Sequence, residues 1–483
     1  MRHGARYQSD DRLKEALKAS WSPLKTGRQK QLGLFVRRPL DEDSAEHQND
    51  LESSLDASPR DQTIYAVGYP SLFLASLNLR TGTLEVDTGL ASTMNESMLS
   101  NIRPSSVAFV GQSQLWIGTE RGTLHVIEKP LVIGGAFESR MHEFERLRHA
   151  VLCINAGPIT SKNRRVYAGK SNGELVIFTG NVALHGGLVH PFASSSVVNL
   201  TEWNKPGPLL PIRCMAFADD GKLWCGVGTY IVIFNPDTLE IEDHVKAEQP
   251  KYLPSGSRVP EGGKSETETS SHGRRLVTHL VPSNVGIWSA CRNASSVFLW
   301  DTKTYAVKTE IVSRAFRASA GWVETSADIS ALAVDRIASI LLLGTRGGHT
   351  LLFDILPTNT VSAFRPRFLI SQHHDADGAE QIRSLVPLTR PPIATSDAER
   401  ELSPPSAVAA ALSFRYVSCA EGDIETGSVV HLWELEMPHD RDRLKRVMFY
   451  QHANDSRNSS KSFAFPDLEL VHVAPTALVS TPL

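Results

Sequence analysis

The chain has 483 residues, of which 41% are hydrophobic and 21% charged, and its formal net charge at pH 7 is −3. That length exceeds one ordinary globular domain, although rings of repeats often reach it. The small negative charge gives no general reason to expect a nucleic acid or an anionic membrane as partner. No run reaches the roughly 18 apolar residues of a membrane span, and the first residues lack the apolar core of a signal peptide. Five cysteines without clustered spacing indicate free thiols, so we expect a cytoplasmic protein.

Residues 1–62 differ in composition from the remainder of the chain, and we expect an N-terminal extension that is mostly disordered. An amphipathic helix is predicted over 10–21, where Leu13, Leu17 and Trp21 share a face and Ser22-Pro23 ends the pattern. The apolar run 31–36 predicts a strand that could belong to the first repeat. Residues 41–61 are acidic, Ser-rich and poor in apolar residues, which favours a disordered loop.

From residue 63 onward one pattern recurs: an apolar run with an aromatic or branched residue, a Gly, a polar turn and a second apolar run. Two such runs joined by a short Gly-containing turn predict a β-hairpin, and we expect the glycine to supply the positive φ of the turn. The clearest copy spans 115–127 and contains Trp116, Gly118 and Gly122. The seven copies lie at 64–77, 115–127, 166–178, 223–234, 287–301, 341–354 and 416–434, and equivalent positions are 51 to 75 residues apart.

Most hairpins have a further β-like run before them, such as 212–217, and several have one after them, such as 83–86. Four strands per repeat, with a period a little longer than that of a propeller blade, predict an all-β, seven-bladed β-propeller of the WD40-like type over 63–438. A closed ring protects the sheet edges that an open array would expose. The strand that closes the ring is either 31–36 or one near the C-terminus.

Residues 439–483 are predicted to form a short C-terminal helix and a tail. Leu444, Val447 and Met448 share one face of the segment 440–451, and basic residues surround them. Two insertions, 254–271 and 389–405, are rich in small and polar residues or in proline. They are predicted to be mobile surface loops.

The sixth hairpin carries the most specific signal, because residues 344–349 read Gly-Thr-Arg-Gly-Gly-His. This run, the Leu432–His439 segment and the Trp224-Cys225-Gly226 run together resemble the carboxy-terminal WD40 propeller of the leucine-rich-repeat kinases of the Roco family. The similarity runs at the level of hairpins over roughly 63–450. Propellers of kinase-interacting scaffold proteins and of some Rho exchange factors share the Trp-x-Gly pattern and are the competing family.

This resemblance implies a propeller used for docking and self-association beside GTPase and kinase domains. The chain itself carries no His-Arg-Asp loop, no Asp-Phe-Gly and no strand lysine motif, so kinase chemistry is not expected of it. The family's self-association surface corresponds here to 248–253 and 313–319, where Phe316 matches in residue type. The candidate interaction surface is therefore Arg314, Phe316 and Arg317.

Other motifs are weaker than they look. Gly262 to Ser265 resemble the end of a phosphate-binding loop, but Arg258 occupies the position of the required first glycine and no strand precedes it. His373, His374 and two nearby aspartates could bind a metal, but no Cys-x-x-Cys or His-x-x-x-His pattern accompanies them to supply the further ligands of a zinc site. The recurring tryptophans at 116, 224, 288, 300 and 433 indicate packing between blades rather than ligand binding.

We therefore expect a non-catalytic interaction or scaffolding propeller from a leucine-rich-repeat serine/threonine-kinase-like signalling protein, without cofactor, metal or small-molecule substrate. Expected partners are proteins, including a second copy of the chain or cytoskeletal or vesicle proteins. Arginines at 314, 317, 365 and 367 could meet an acidic partner, although scattered charges usually form a solvated face. The alternatives are a stand-alone adaptor related to the scaffold or Rho exchange factor propellers, and a propeller enzyme with a site in the central channel.

Overall fold

A computed structural model describes residues 31–37, 63–69, 74–78, 83–86, 103–111, 114–128, 140–160, 163–182, 187–189, 194–204, 207–247, 275–313, 327–336, 339–355, 365–370, 381–387, 413–420, 429–436 and 477–480. The regular elements in these ranges are β-strands and one 3-10 turn, Glu202–Asn204. The predicted helices at 10–21 and 440–451 and the predicted loops lie outside the described residues.

The strands form antiparallel sheets of four, each made of strands consecutive in the chain. The first contains β1 (Gln31–Arg37), β2 (Thr63–Tyr69), β3 (Leu74–Asn78) and β4 (Thr83–Val86); the second β5 (Pro104–Val110), β6 (Gln114–Thr119), β7 (Thr123–Glu128) and β8 (Arg140–Arg146); the third β9 (Val151–Thr160), β10 (Asn163–Lys170), β11 (Glu174–Asn181) and β12 (Ser194–Asn199). The fourth contains β13 (Ile212–Phe217), β14 (Leu223–Val227), β15 (Tyr230–Asn235) and β16 (Glu240–Lys246); the fifth β17 (Val277–Ser283), β18 (Gly286–Cys291), β19 (Ser296–Trp300) and β20 (Val307–Val312). The sixth contains β21 (Ile329–Asp335), β22 (Ile340–Thr345), β23 (Thr350–Asp354) and β24 (Arg365–Ile370); the seventh β25 (Ile382–Pro387), β26 (Ser413–Ala420), β27 (Val429–Glu436) and β28 (Ala477–Ser480).

The first strand of each sheet is the inner one. The inner strands lie side by side in the order β5, β9, β13, β17, β21 and β25, and β1 lies beside both β25 and β5. This arrangement is an all-β propeller. The segment 31–36, for which a strand was predicted, lies in β1, the inner strand of the first sheet, where it pairs with β2. Both β1 and β28 lie outside the predicted propeller range of 63–438, whose boundaries remain a prediction.

Side-chain packing is described most fully for the second to sixth sheets, which are separated by four apolar clusters. Trp116 lies between the second and third sheets, Trp224 and Trp300 between the fourth and fifth, and Trp288 between the fifth and sixth. All four side chains are fully buried. The prediction that these tryptophans pack between blades is confirmed, while the side chain of Trp433 lies outside the described residues.

Glycines in the repeat have two separate roles. Gly122, Gly173 and Gly348 sit in the turns with φ of 79°, 84° and 78°, as the pattern predicts. The glycine that comes after the aromatic residue does not serve the turn. Gly118 and Gly226, which occupy this position, lie inside strands and have no positive φ. A Cβ at Gly226 would lie 2.5 Å from Cys214 Sγ and 2.9 Å from Val277 Cγ1. The recurring glycine therefore lets neighbouring sheets approach, and the expectation that it serves the turn is wrong for this position.

Candidate functional site

The two faces of the propeller are defined by the direction of the inner strands. Each inner strand begins on what we call the upper face, which also carries the turn between the second and third strands of each sheet. The lower face carries the turns after the inner strand and after the third strand. Propeller turns present side chains on a rigid frame, so these faces are where a partner would bind.

Charge is distributed unequally between the faces. Among the described side chains, ten Lys and Arg but four Asp and Glu lie at the upper face, whereas six basic and seven acidic residues lie at the lower face. Two more acidic residues, Asp243 and Glu310, lie midway along the outer strands β16 and β20. The upper set comprises Arg103, Arg121, Arg148, Lys170, Arg213, Lys246, Arg275, Arg292, Arg346 and Arg383, with Glu120, Glu174, Glu202 and Asp328. The lower set comprises Arg164, Arg165, Lys222, Lys303, Lys308 and Arg336, with Asp219, Asp220, Asp237, Glu240, Glu242, Asp301 and Asp335. The described part of the upper face therefore carries an excess of positive charge, although the whole chain is slightly acidic.

A β-bulge recurs near the start of the inner strands and places one extra residue there. The bulge residues are Gly33, Ser105, Leu152, Arg213, Thr278, Ser330 and Arg383. Hydroxyl groups at this position hydrogen-bond within the framework: Ser105 Oγ donates to Val151 O at 2.6 Å, and Ser330 Oγ donates to Gly344 O at 3.3 Å. An arginine at the same position carries a charge to the upper end of the innermost strand.

Arg213 and Arg292 form a pair of like charges between the fourth and fifth sheets. Cys214, next to Arg213, directs its Sγ at Val277 O, and Val277 pairs with Cys291, next to Arg292. Arg213 is partly buried, and among the described residues its buried Nε has no hydrogen-bond partner. Burial lowers the pKa of the Arg213 guanidinium, and the charge of Arg292 lowers it further. Arg292 is exposed, and neither arginine has a carboxylate partner within the described part of the chain.

Three other cations on the upper face have polar partners among the described residues. Arg103 Nη1 lies 3.8 Å from Glu120 Oε2, and Lys170 pairs with Glu174. Arg346 Nη1 donates to Asn293 Oδ1 at 2.7 Å. Arg213 and Arg292 lack a carboxylate of the kind that pairs with Arg103 and Lys170. Arg213 also has a buried Nε without a hydrogen-bond partner among the described residues.

An aromatic cluster occupies the outer part of the same face, between the third and fourth sheets. The rings of Trp203 and His244 are stacked, with centroids 4.3 Å apart, and Tyr230 meets Trp203 edge-on at 4.6 Å. Trp203 Nε1 donates to Leu200 O at 2.8 Å, which fixes the indole. His244 is exposed, and Trp203 and Tyr230 are partly buried. Rigid, half-exposed Trp and Tyr side chains are typical of protein interfaces.

Most sequence-predicted candidates cannot be placed in this geometry. Arg314, Phe316 and Arg317 lie outside the described residues, as do 248–253, 262–265 and 373–377, and only the backbone of β24 is described around Arg365 and Arg367. The segment that contains the three candidates is flanked by Ser313 and Ala327, which are joined on the upper face by a hydrogen bond from Ser313 Oγ to Ala327 O at 2.5 Å. Sequence reasoning missed Arg213, Arg292 and Trp203. Aligning the inner strands would have shown Arg213 at a position where three other repeats carry Ser or Thr.

The described residues offer little for metal or nucleophilic chemistry. No group of three or more His, Cys, Asp or Glu side chains with metal-binding geometry occurs among them. Cys153, Cys214, Cys225 and Cys291 are free thiols, and burial raises the pKa of Cys153 to about 12. Burial also raises the pKa of Cys214 and Cys225 well above the usual value, so these thiols stay protonated and unreactive. In the described part of the chain, no helix is long and apolar enough to cross a membrane.

Comparisons with known proteins extend this description. Rho guanine nucleotide exchange factor 17 from Homo sapiens is 24% identical over 202 residues, which cover 41% of this chain and 8% of that protein. Its Mus musculus counterpart is 24% identical over 269 residues, which cover 54% of this chain and 11% of that protein. The matches therefore span about a tenth of the relatives' length.

Two solved propeller structures are distantly similar to this chain. The β-propeller domain of Myceliophteria thermophila Cps50 (Swd1) has a TM-score of 0.47 and 8% identity, covering 84% of this chain and 97% of that one. Chaetomium thermophilum Sqt1 bound to the N-terminus of the ribosomal protein L10 has a TM-score of 0.47 and 13% identity, covering 84% and 86%.

The family comparison is more specific than either likeness. Residues 131–371, close to half of the chain, match a family model described as the LRRK2 beta propeller. The match includes the third, fourth and fifth sheets and the sixth hairpin with its Gly-Gly-His run. It confirms the resemblance to the propeller of the leucine-rich-repeat kinases. Over residues 131–371, this chain is therefore similar to the LRRK2 beta propeller.

Proposed function

We propose that this chain is a non-catalytic protein–protein interaction module, the propeller portion of a leucine-rich-repeat kinase-like signalling protein. The observation that carries the docking role is the Trp203–Tyr230–His244 cluster, which is held rigidly yet partly exposed on the upper face. Such a cluster offers a partner a large contact area with little loss of side-chain entropy. The family match supports the link to a kinase-like protein.

We also propose that the propeller is a closed ring of seven blades. The support is the grouping of the strands into sheets of four and the position of β1 beside both β25 and β5. In such a ring, the inner strand of the first sheet and the outer strand of the seventh come from opposite ends of the chain. Propeller edges are then short and protected, as a stable interaction platform requires.

Cross-linking mass spectrometry of the full chain in cells tests the docking role. Protein cross-links are expected to concentrate on the upper face and to fall at least fivefold in Trp203→Ala, because the variant removes the centre of the aromatic cluster. Leu239→Ala is the matched control, since Leu239 is an exposed apolar residue of the lower face. Cross-links that are equally abundant in both variants would contradict docking at this cluster.

The kinase-linked context needs a separate test, and the similarity to Rho guanine nucleotide exchange factor 17 favours an alternative. In that alternative, the propeller belongs to an exchange factor-like protein or a stand-alone adaptor. Sequencing the transcript on both sides of this coding region distinguishes them. A frame that continues into GTPase and kinase motifs supports the first proposal, and one that continues into an exchange-factor domain or stops supports the alternative.

A further inference from the structure

The upper face presents two arginines whose charges the described residues leave uncompensated. Arg213 and Arg292 come from different sheets, and their backbones are brought together by the contact of Cys214 with Val277 and the pairing of Val277 with Cys291. Desolvating one guanidinium beside another costs free energy unless an anion compensates both. Arginine guanidiniums bind carboxylate or phosphate groups by paired hydrogen bonds, and here the charge of Arg292 is close enough to act on Arg213.

We propose that the upper face binds an acidic protein segment and that Arg213 and Arg292 are the centre of this site. The inference rests on the proposed docking function and names its partner class. A carboxylate side chain of the segment would accept from the accessible part of the Arg213 guanidinium and from Arg292. The surrounding basic residues, among them Arg275, Arg346 and Arg383, would attract the rest of the segment.

The charge pattern favours a protein segment over a nucleic acid or an anionic membrane. Among the described side chains, the excess of positive charge lies on the upper face, and the lower face carries about as many acidic as basic residues. The whole chain has a net charge of −3, which would repel a long polyanion that extends beyond the upper face. A short segment can meet the basic face alone, and the Trp203 cluster on that face provides apolar contact that a protein chain can use.

Fluorescence anisotropy of a labelled oligoglutamate peptide with the full chain tests the proposal, with oligoglutamine as the uncharged probe. We expect saturable binding of oligoglutamate that weakens as salt is raised, and at least tenfold weaker binding in the R213Q/R292Q double variant. Lys303→Gln makes a change of one charge at an exposed residue of the lower face and should leave affinity within twofold. Arg292→Gln alone, at an exposed position, should weaken binding at least threefold even if the Arg213 variant fails to fold.

Several outcomes would overturn the inference. One is that the wild-type chain does not bind oligoglutamate, and another is that K303Q and R292Q lose affinity for oligoglutamate equally. A third is that a DNA duplex binds more tightly than oligoglutamate and that the double variant loses this DNA binding. The cross-linking experiment separates the two proposals. If protein cross-links depend on Trp203 but not on the arginines, the docking function stands without the acidic-segment site. If oligoglutamate binds at the arginines but no protein is cross-linked, the docking function fails instead.

Discussion

Replacing Gly226 by alanine tests the role of the strand glycine. An added Cβ would lie 2.5 Å from Cys214 Sγ, 2.9 Å from Val277 Cγ1 and 3.1 Å from Val277 Cβ. Cys214 lies in the same sheet as Gly226, whereas Val277 lies in the inner strand of the fifth sheet. Relief therefore requires the Cys214 side chain to turn and the two sheets to move apart. Forcing one methyl group into such a packed contact typically costs about 1–3 kcal/mol. We expect a destabilisation in this range.

Urea unfolding followed by tryptophan fluorescence measures the loss, and hydrogen exchange locates it. Amides of β13, β14 and β17 should exchange faster in Gly226→Ala, whereas those of β5 and β6 should not change, because neighbouring sheets share the affected contact. Gly221→Ala is the matched control. Gly221 has φ of 81° and open space around its Cα, so its replacement costs about 1 kcal/mol of backbone strain alone.

The clash also predicts coupling. Adding Cys214→Ala removes the atom nearest to the new methyl group. The double variant should therefore lose less unfolding free energy than the two single variants lose together, by about 0.5 kcal/mol or more. In the fifth sheet the position that pairs like Gly226 is Ala290, whose methyl group is buried in an apolar cluster. Ala290→Gly should therefore destabilise as well. A Gly226→Ala chain as stable as wild type, or additive losses in the double variant, would refute the packing argument.

Three further predictions concern stability. Burial lowers the pKa of His279 from 6.5 to about 4, so the unfolded state takes up a proton first as the pH falls. Between pH 6.5 and 4, wild type should lose up to about 3 kcal/mol of unfolding free energy relative to His279→Gln in urea titrations, and parallel pH profiles of the two proteins would contradict this. Trp300 Nε1 donates to Ser289 Oγ at 2.7 Å inside the core. Ser289→Ala leaves this buried N–H without its acceptor and should lower the free energy of unfolding by about 1–3 kcal/mol, whereas an unchanged urea midpoint would contradict the prediction. Tyr305 OH donates to Glu242 Oε2 at 3.0 Å between the fifth and fourth sheets, and the pair is partly solvated. Tyr305→Phe should therefore cost at most about 1 kcal/mol of unfolding free energy, and high salt should reduce this loss. A larger loss that does not depend on salt would contradict the partial solvation of this contact.

The amino-acid sequence determines the repeat. Hairpins predicted from apolar runs correspond to strand pairs such as β6–β7 and β14–β15, because an apolar run and a polar turn are local properties of the chain. The inner strand 31–37 was recognisable for the same reason. Burial of Trp116, Trp224, Trp288 and Trp300 also follows from sequence, since large aromatic side chains recurring in register must share a core.

Only the tertiary structure decides what lies between sheets. The strand glycine has no local reason to be glycine: its neighbours are Cys214 in the same sheet and Val277, 51 residues away in the next. Arg213 and Arg292 likewise come together across a sheet boundary, and a bulge that cannot be seen in the sequence brings Arg213 to the upper face. Contacts between distant segments depend on how the sheets stack, and no local pattern encodes that stacking.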